Sequence, residues 1–402
     1  MKLELFYKIF EAFSIERWND LVRPFRIVEM DKHAEKMAVA YIIGKFEENR
    51  GEKIDWEWMI YTSLFDLLRK IQLCDIKSPV QTFIRNDYPD EFRKLNGWVL
   101  DRYRNLIDSD LYKRFEEYVK TLNGEKSLTK AQKLTSRIFR AAHKFSTLRE
   151  LEMLSVVNEE HRLTQIRREL NADLQKYLDL RGLQLLMTRQ KPFDFLTRIE
   201  QLRFQTRWNQ TPRVPQTSVL GHCFFVAVLT FLLGRQTGVR FCAGRIYNNY
   251  FSALFHDLPE SVTRDIISPV KQATDELPSI VKNIEDKIVA KELVPLMEDF
   301  YREELLYFTS DEFSNRVLFD DEVHSVGFDE LNNKFNFDEF CPVDGKLVRL
   351  ADHYSAFLEA SVSIRHGITS THLKEGRENL INAYKNQHLI NGIDAALLFA
   401  DA

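Results

Sequence analysis

His222, His256, Asp257 and Asp352 follow one another along the second half of the chain. Imidazole nitrogens and carboxylate oxygens are the donors that suit borderline divalent cations. The chemistry such a set could do is metal-assisted hydrolysis, in which an ion acidifies a bound water and polarises an oxygen. Each letter alone is ordinary, because a histidine on an apolar helix, like His222 in VLGHCFFVAV, is commonly a satisfied core residue. The surroundings add weight. Asp257 sits in SALFHDLPE and Asp352 in KLVRLADHYSAF, and a carboxylate buried in such stretches is costly without a partner. Glu260 follows Asp257 by three residues and would share its face if one helix carried both.

These residues need helices to bring them together. Apolar residues recur at three- and four-residue spacing over 33–47, 56–73, 147–181, 222–235, 248–258, 280–308 and 346–364. Strict alternation is rare, and 14 glycines and 11 prolines are few for 402 residues, so the expected class is all-α. A helical bundle builds metal sites on facing helices. Here the His-Asp pair would come from one helix, His222 from a second and Asp352 from a third.

Composition sets further bounds. Hydrophobic residues make up 44% and charged residues 29%, enough for one large core or two ordinary ones. A net charge of −4 argues against an extended nucleic-acid surface. A small anion can still bind where a metal and a few arginines dominate locally. No apolar run reaches the ~18 residues of a membrane span. The N-terminal MKLELFYKIFEAFSIERW reads as an amphipathic helix rather than a leader, so a cytoplasmic protein is expected. Cys74, Cys223, Cys242 and Cys341 form no CxxC pair and read as buried free thiols in a reducing compartment.

The chain also repeats itself. TSLFDLLRKIQLCDIKSPVQ (62–81) aligns with SALFHDLPESVTRDIISPVK (252–271), sharing Ser78-Pro79-Val80 and Ser268-Pro269-Val270 at an offset of 268 − 78 = 190. Arg17-Trp18-Asn19 returns as Arg207-Trp208-Asn209 at the same offset, and His33 precedes His222 by 189. AAHKFS (141–146) resembles LADHYS (350–355) at an offset of 209. We therefore expect a duplicated unit, 1–190 and 191–402, with its boundary where MTRQKPFDF interrupts the helical pattern near 185–197. The acidic, aromatic stretch 309–345 reads as an insertion of loop or short helices beside the pocket.

The order His, His-Asp, Asp on helices resembles the HD superfamily of metal-dependent phosphohydrolases. ALFHDLPESVTRDIISPVK, the TRW before the first histidine and LADHYSAFLE at the last aspartate are similar to bacterial HD-domain 5′-deoxynucleotidases over roughly 195–385. The resemblance implies tandem HD-domain helical bundles and hydrolysis of the phosphate of a nucleoside 5′-monophosphate. It implies one divalent ion (Co, Mn, Zn, Mg or Fe) on His222, His256, Asp257 and Asp352. It also implies proton transfer by Glu260, a role for Asp265 near the attacking water or substrate, and substrate contacts from Arg207, Trp208 and Lys271. Arg suits a phosphate through paired hydrogen bonds, and Trp offers a flat apolar face.

The first copy departs from this pattern. His33 remains, but Asp66 and Leu67 stand where His256 and Asp257 do, Lys70 replaces Glu260, and His143 stands near the Asp352 position. A non-catalytic first half, packed on the second as a pseudo-dimer, is the expectation. Two alternatives share the same ligands: hydrolysis of nucleoside triphosphates or signalling nucleotides, and a non-enzymatic nucleotide-sensing or interaction module.

Overall fold

The computed structural model describes residues 2–74, 76–264, 274, 276–387 and 389–400. The fold is all-α, with its strands confined to two small sheets among these residues. At its centre, the helices Glu29–Asn49 and Val219–Gly234 pack against each other. Every residue of Val219–Gly234 is buried, as are most of Glu29–Asn49. Helices buried on all sides need no apolar stripe. The price is six charged side chains and one imidazole inside the first of them, each of which needs a partner.

Trp56–Gln72, Lys130–Leu154, Arg181–Met187 and Lys191–Gln201 surround the Glu29–Asn49 helix. Ala243–Phe255 and Gly345–Arg365 flank Val219–Gly234. Side chains of Asp55, Asp108, Ser218 and Ser370 accept from backbone N–H groups of the helices they precede, and Thr129 with Gln132 forms a capping box. One apolar core runs through both halves. Tyr41 packs on Phe251 and Phe255, Phe225 meets Phe10 and Phe13, and Arg203 forms a fully buried ion pair with Glu35.

The repeated letters fold alike. Isolated bridges Glu16↔Val28 and Thr206↔Ser218 close two matching loops, and Trp18 and Trp208 both take positive φ, 55° and 53°. The Trp18 indole donates to Glu150 at 2.8 Å, and the Trp208 indole donates to Glu359 at 2.6 Å. Glu150 and Glu359 stand 359 − 150 = 209 apart, the offset of the last repeated motif.

Several boundaries differ from the periodicity. The 147–181 stretch is two helices, Lys130–Leu154 and Glu160–Gln175, and 280–308 breaks between Leu277–Glu292 and Asp299–Thr309. Pro192 opens the helix Lys191–Gln201 instead of interrupting one, since its missing N–H falls where no helical partner exists. The break lies just before, where Arg189 takes φ 54°. The 309–345 stretch holds strands as well as short helices: Asn315–Phe319 pairs antiparallel with Glu322–Ser325 and with Val343–Asp344. Its alternation is hidden because buried Arg316 fills a core position, donating to the carbonyls of Asp311, Ser314 and Tyr307. Of the four free thiols only Cys223 is buried; Cys74 is exposed and Cys242 and Cys341 are half-buried, which corrects the expectation of four buried thiols. No described helix is long and apolar enough to cross a membrane.

Candidate metal centre

Ser218 caps the helix Val219–Gly234 through the Gly221 N–H at 2.9 Å, and His222 follows in its first turn, fully buried. Asp352 lies in the middle of Gly345–Arg365. His256 ends the helix Ala243–Phe255 as its C-cap, and Asp257 begins the turn beyond it. The sequence reading put the pair and Glu260 on one helix. Instead Glu260 opens a separate short helix, Glu260–Thr263. Pro259 accounts for the break, since it lacks an N–H and disfavours helix at the residue before it.

The donors converge. Single donor atoms of His222, His256 and Asp352 all lie within 4.8 Å of one another, and those of Cys223, His256 and Asp257 do likewise. His222 Nε2 is 3.0 Å from Asp352 Oδ1 and 3.8 Å from Asp257 Oδ2, and His256 Nε2 is 3.3 Å from Asp257 Oδ2. Both Nε2 atoms are buried and face these carboxylates, with no hydrogen bond of regular geometry to either. The opposite nitrogens are engaged. His256 Nδ1 donates to the Ala253 carbonyl at 2.7 Å, and His222 Nδ1 pairs with Ser355 Oγ at 3.0 Å. Bonds of this kind fix the tautomer and aim the other nitrogen's lone pair at a metal.

Electrostatics favour the same use. Burial, followed by the Arg207 charge, lowers the His222 pKa and keeps the imidazole neutral. Burial alone would raise the Asp352 carboxyl, but His222, His256 and Arg207 hold it far below the usual carboxylate range. The Asp257 and Asp352 side chains remain 17% and 20% exposed, so the centre opens to solvent on its carboxylate side. Two buried, unpaired imidazole nitrogens facing two carboxylates fit a divalent cation, and the mixed nitrogen and oxygen donors are those of Mn, Co, Zn or Fe.

Arg207 reaches Glu359 with Nε at 3.2 Å and approaches Asp352 Oδ1 with Nη2 at 4.0 Å. Trp208 packs its ring against Gly376, where an added Cβ would meet Trp208 Cη2 at 2.7 Å. The Glu260 carbonyl accepts from Gln205 Nε2 at 2.8 Å, and its carboxylate lies within electrostatic reach of Arg207 and Cys223. Asp265 and Lys271 lie outside the described residues.

Five neighbours escaped the sequence reading. Cys223 Sγ stands 3.9 Å from Asp257 Oδ2, but burial pushes the thiol pKa well up, so it faces the carboxylate as a neutral group. Glu312, at the start of the 309–345 stretch, has its pKa raised by burial and acts on His256 and Asp257, while Phe313 lies 6.2 Å from the His256 ring. Ser355 and Glu359 were legible in principle, since Ser146 and Glu150 precede each of them by 209. A separate cavity of about 240 Å³, lined by Leu148, Arg149, Arg167 and Phe193 among others, contains none of the candidate ligands.

Residues 199–381 match the family described as HD domain. The match supports the HD-domain superfamily for this segment, and with it metal-dependent phosphohydrolase chemistry in general. Neither the comparison with curated proteins nor that with solved structures gave a match.

Proposed function

We propose that the second half, 191–402, hydrolyses the phosphate of nucleoside or deoxynucleoside 5′-monophosphates, using one divalent ion on His222, His256, Asp257 and Asp352. The first half, 1–190, is in this reading a non-catalytic duplicate packed on it as a pseudo-dimer. The observation that carries the reading is the pair of buried, unpartnered Nε2 atoms aimed at two carboxylates. The choice of monophosphates rests on HDLPESVTRDI and its likeness to the deoxynucleotidases.

Such an ion, when bound, lowers the pKa of a water and polarises a phosphoryl oxygen. The chain's own residues divide the remaining work. Ser355 and the Ala253 carbonyl hold the two imidazoles in register. Arg207 has its Nε committed to Glu359, so its Nη2, which points towards Asp352, is the edge that meets a phosphate oxygen. Arg349, exposed one turn before Asp352, can add a second positive charge. Glu260 exchanges protons with the water or the leaving oxygen. Asp265 and Lys271 keep the roles the resemblance implies. The side chain of Trp208 supports the base or sugar while its indole N–H stays on Glu359.

The test is phosphate release from a panel of nucleoside mono-, di- and triphosphates. Metal-stripped protein would be resupplied with Mn²⁺, Co²⁺, Mg²⁺ or Zn²⁺. Metal-dependent release from 5′-monophosphates supports the reading and identifies the base. Release from triphosphates alone would shift the assignment to that branch. Silence with metal shown to be bound would favour a sensing module.

A further inference from the structure

The first half holds a counterpart of the metal centre, built from different charges. By the repeat offsets, His33 stands for His222, Asp66 for His256 and His143 for Asp352. The frame around it is kept: Arg17 and Trp18 bind Glu150 as Arg207 and Trp208 bind Glu359. Asp66 is 17% exposed, the same as Asp257. His33 is buried, and its Nε2 lies 3.9 Å from Asp66 Oδ2.

Two lysines have no counterpart in the second half. Lys36 stands where the second half has Phe225, and Lys32 where it has Gly221, each at an offset of 189. Both are buried on the His33 helix. The Lys36 ammonium sits 2.6 Å from Asp66 Oδ2 and over the Phe139 ring at 4.5 Å. Lys32 Nζ donates to Ser146 Oγ at 2.6 Å, to Thr147 Oγ1 at 2.7 Å and to the His143 carbonyl at 3.0 Å. Ser146 is the equivalent of Ser355, which supports His222 in the second half. Lys32 has taken it, and His33 Nδ1 is left buried without a partner. The histidine that would present a lone pair to a metal has thus lost its positioning bond.

We infer that the first half carries a covalently tethered cation, the Lys36 ammonium against Asp66, in place of a divalent ion, so that the chain has a single metal centre. This rests on the reading that the second half binds a metal. A divalent ion entering here would meet a fixed positive charge in poorly screened surroundings and a carboxylate that is already neutralised. Burial and the Lys36 charge both hold His33 neutral, and His143 is treated alike by burial, Lys32 and Lys36. The duplicate needs no ion to satisfy its half-buried acid.

The experiment counts Co²⁺ bound per full-length chain, by elemental analysis after removal of free ion. Wild type is expected to hold one equivalent, and Asp257→Ala/Asp352→Ala none. An ion retained in that double variant and lost on adding His33→Ala would overturn the inference. Adding Lys36→Ala to the double variant is expected to create a site for one Co²⁺, lost again with His33→Ala. A folded Lys36→Ala protein, judged by circular dichroism, that gains no ion would equally overturn it. If Lys36→Ala does not fold, the double variant with native Lys36 still decides the question. An ion-free wild type would count against the second-half metal instead, leaving the Lys36→Ala arm to test this inference alone.

Discussion

The His256 imidazole spends its Nδ1 proton on the Ala253 carbonyl three residues earlier, so a backbone oxygen selects which nitrogen can meet a metal. His222 relies on a side chain for the same service, and that makes it adjustable. Ser355→Ala should leave the fold intact and weaken metal affinity by ~10–100-fold, the usual cost of losing an outer partner; titration with Co²⁺ measures it. Asp257→Ala should lose both ion and turnover, and full activity in that variant would sink the site. Glu260→Gln should bind metal normally while kcat falls by ~10²–10⁴-fold, the span of general acid–base catalysis. Unchanged kcat would remove Glu260 from proton transfer.

Helices come close enough here for backbone to touch backbone. Gly182, in Arg181–Met187, leaves room for Ile43 of the central helix; an added Cβ would lie 2.7 Å from Ile43 Cα. Gly182→Ala should cost about 1–3 kcal/mol, as overpacking does, and lower the Tm. An unchanged Tm would mean that the two helices part at no cost to admit the methyl group. The same elements explain what the sequence could reveal. Periodicity located both central helices, since length and apolar content survive burial on all sides. It could not see the ends set by Pro259, or the strand whose buried arginine breaks the alternation. The candidate ligands could be picked out because their order and spacing recur as a motif. Ser355 and Glu359 show in the sequence only through the 209-residue offset to Ser146 and Glu150, and the Lys36–Asp66 pair not at all, because each matters through a partner on another helix.

Across the whole molecule, the ion pair Arg203–Glu35 joins the two halves with both side chains fully buried. Removing one member of a buried pair typically costs ~3–5 kcal/mol. Arg203→Ala should therefore destabilise the entire chain in one cooperative transition, measurable by denaturant unfolding. Two separated transitions, with only one shifted, would show that the halves unfold independently. The tryptophans divide unevenly between those halves: Trp18, Trp56, Trp58 and Trp98 precede residue 190, and only Trp208 follows it. That lone indole donates to Glu359, whose Oε1 lies 3.8 Å from His222 Nδ1. The protein thus carries a native fluorophore two contacts from the candidate metal centre. Subtracting the emission of Trp208→Phe isolates a signal that reports on the second half alone, with no attached dye.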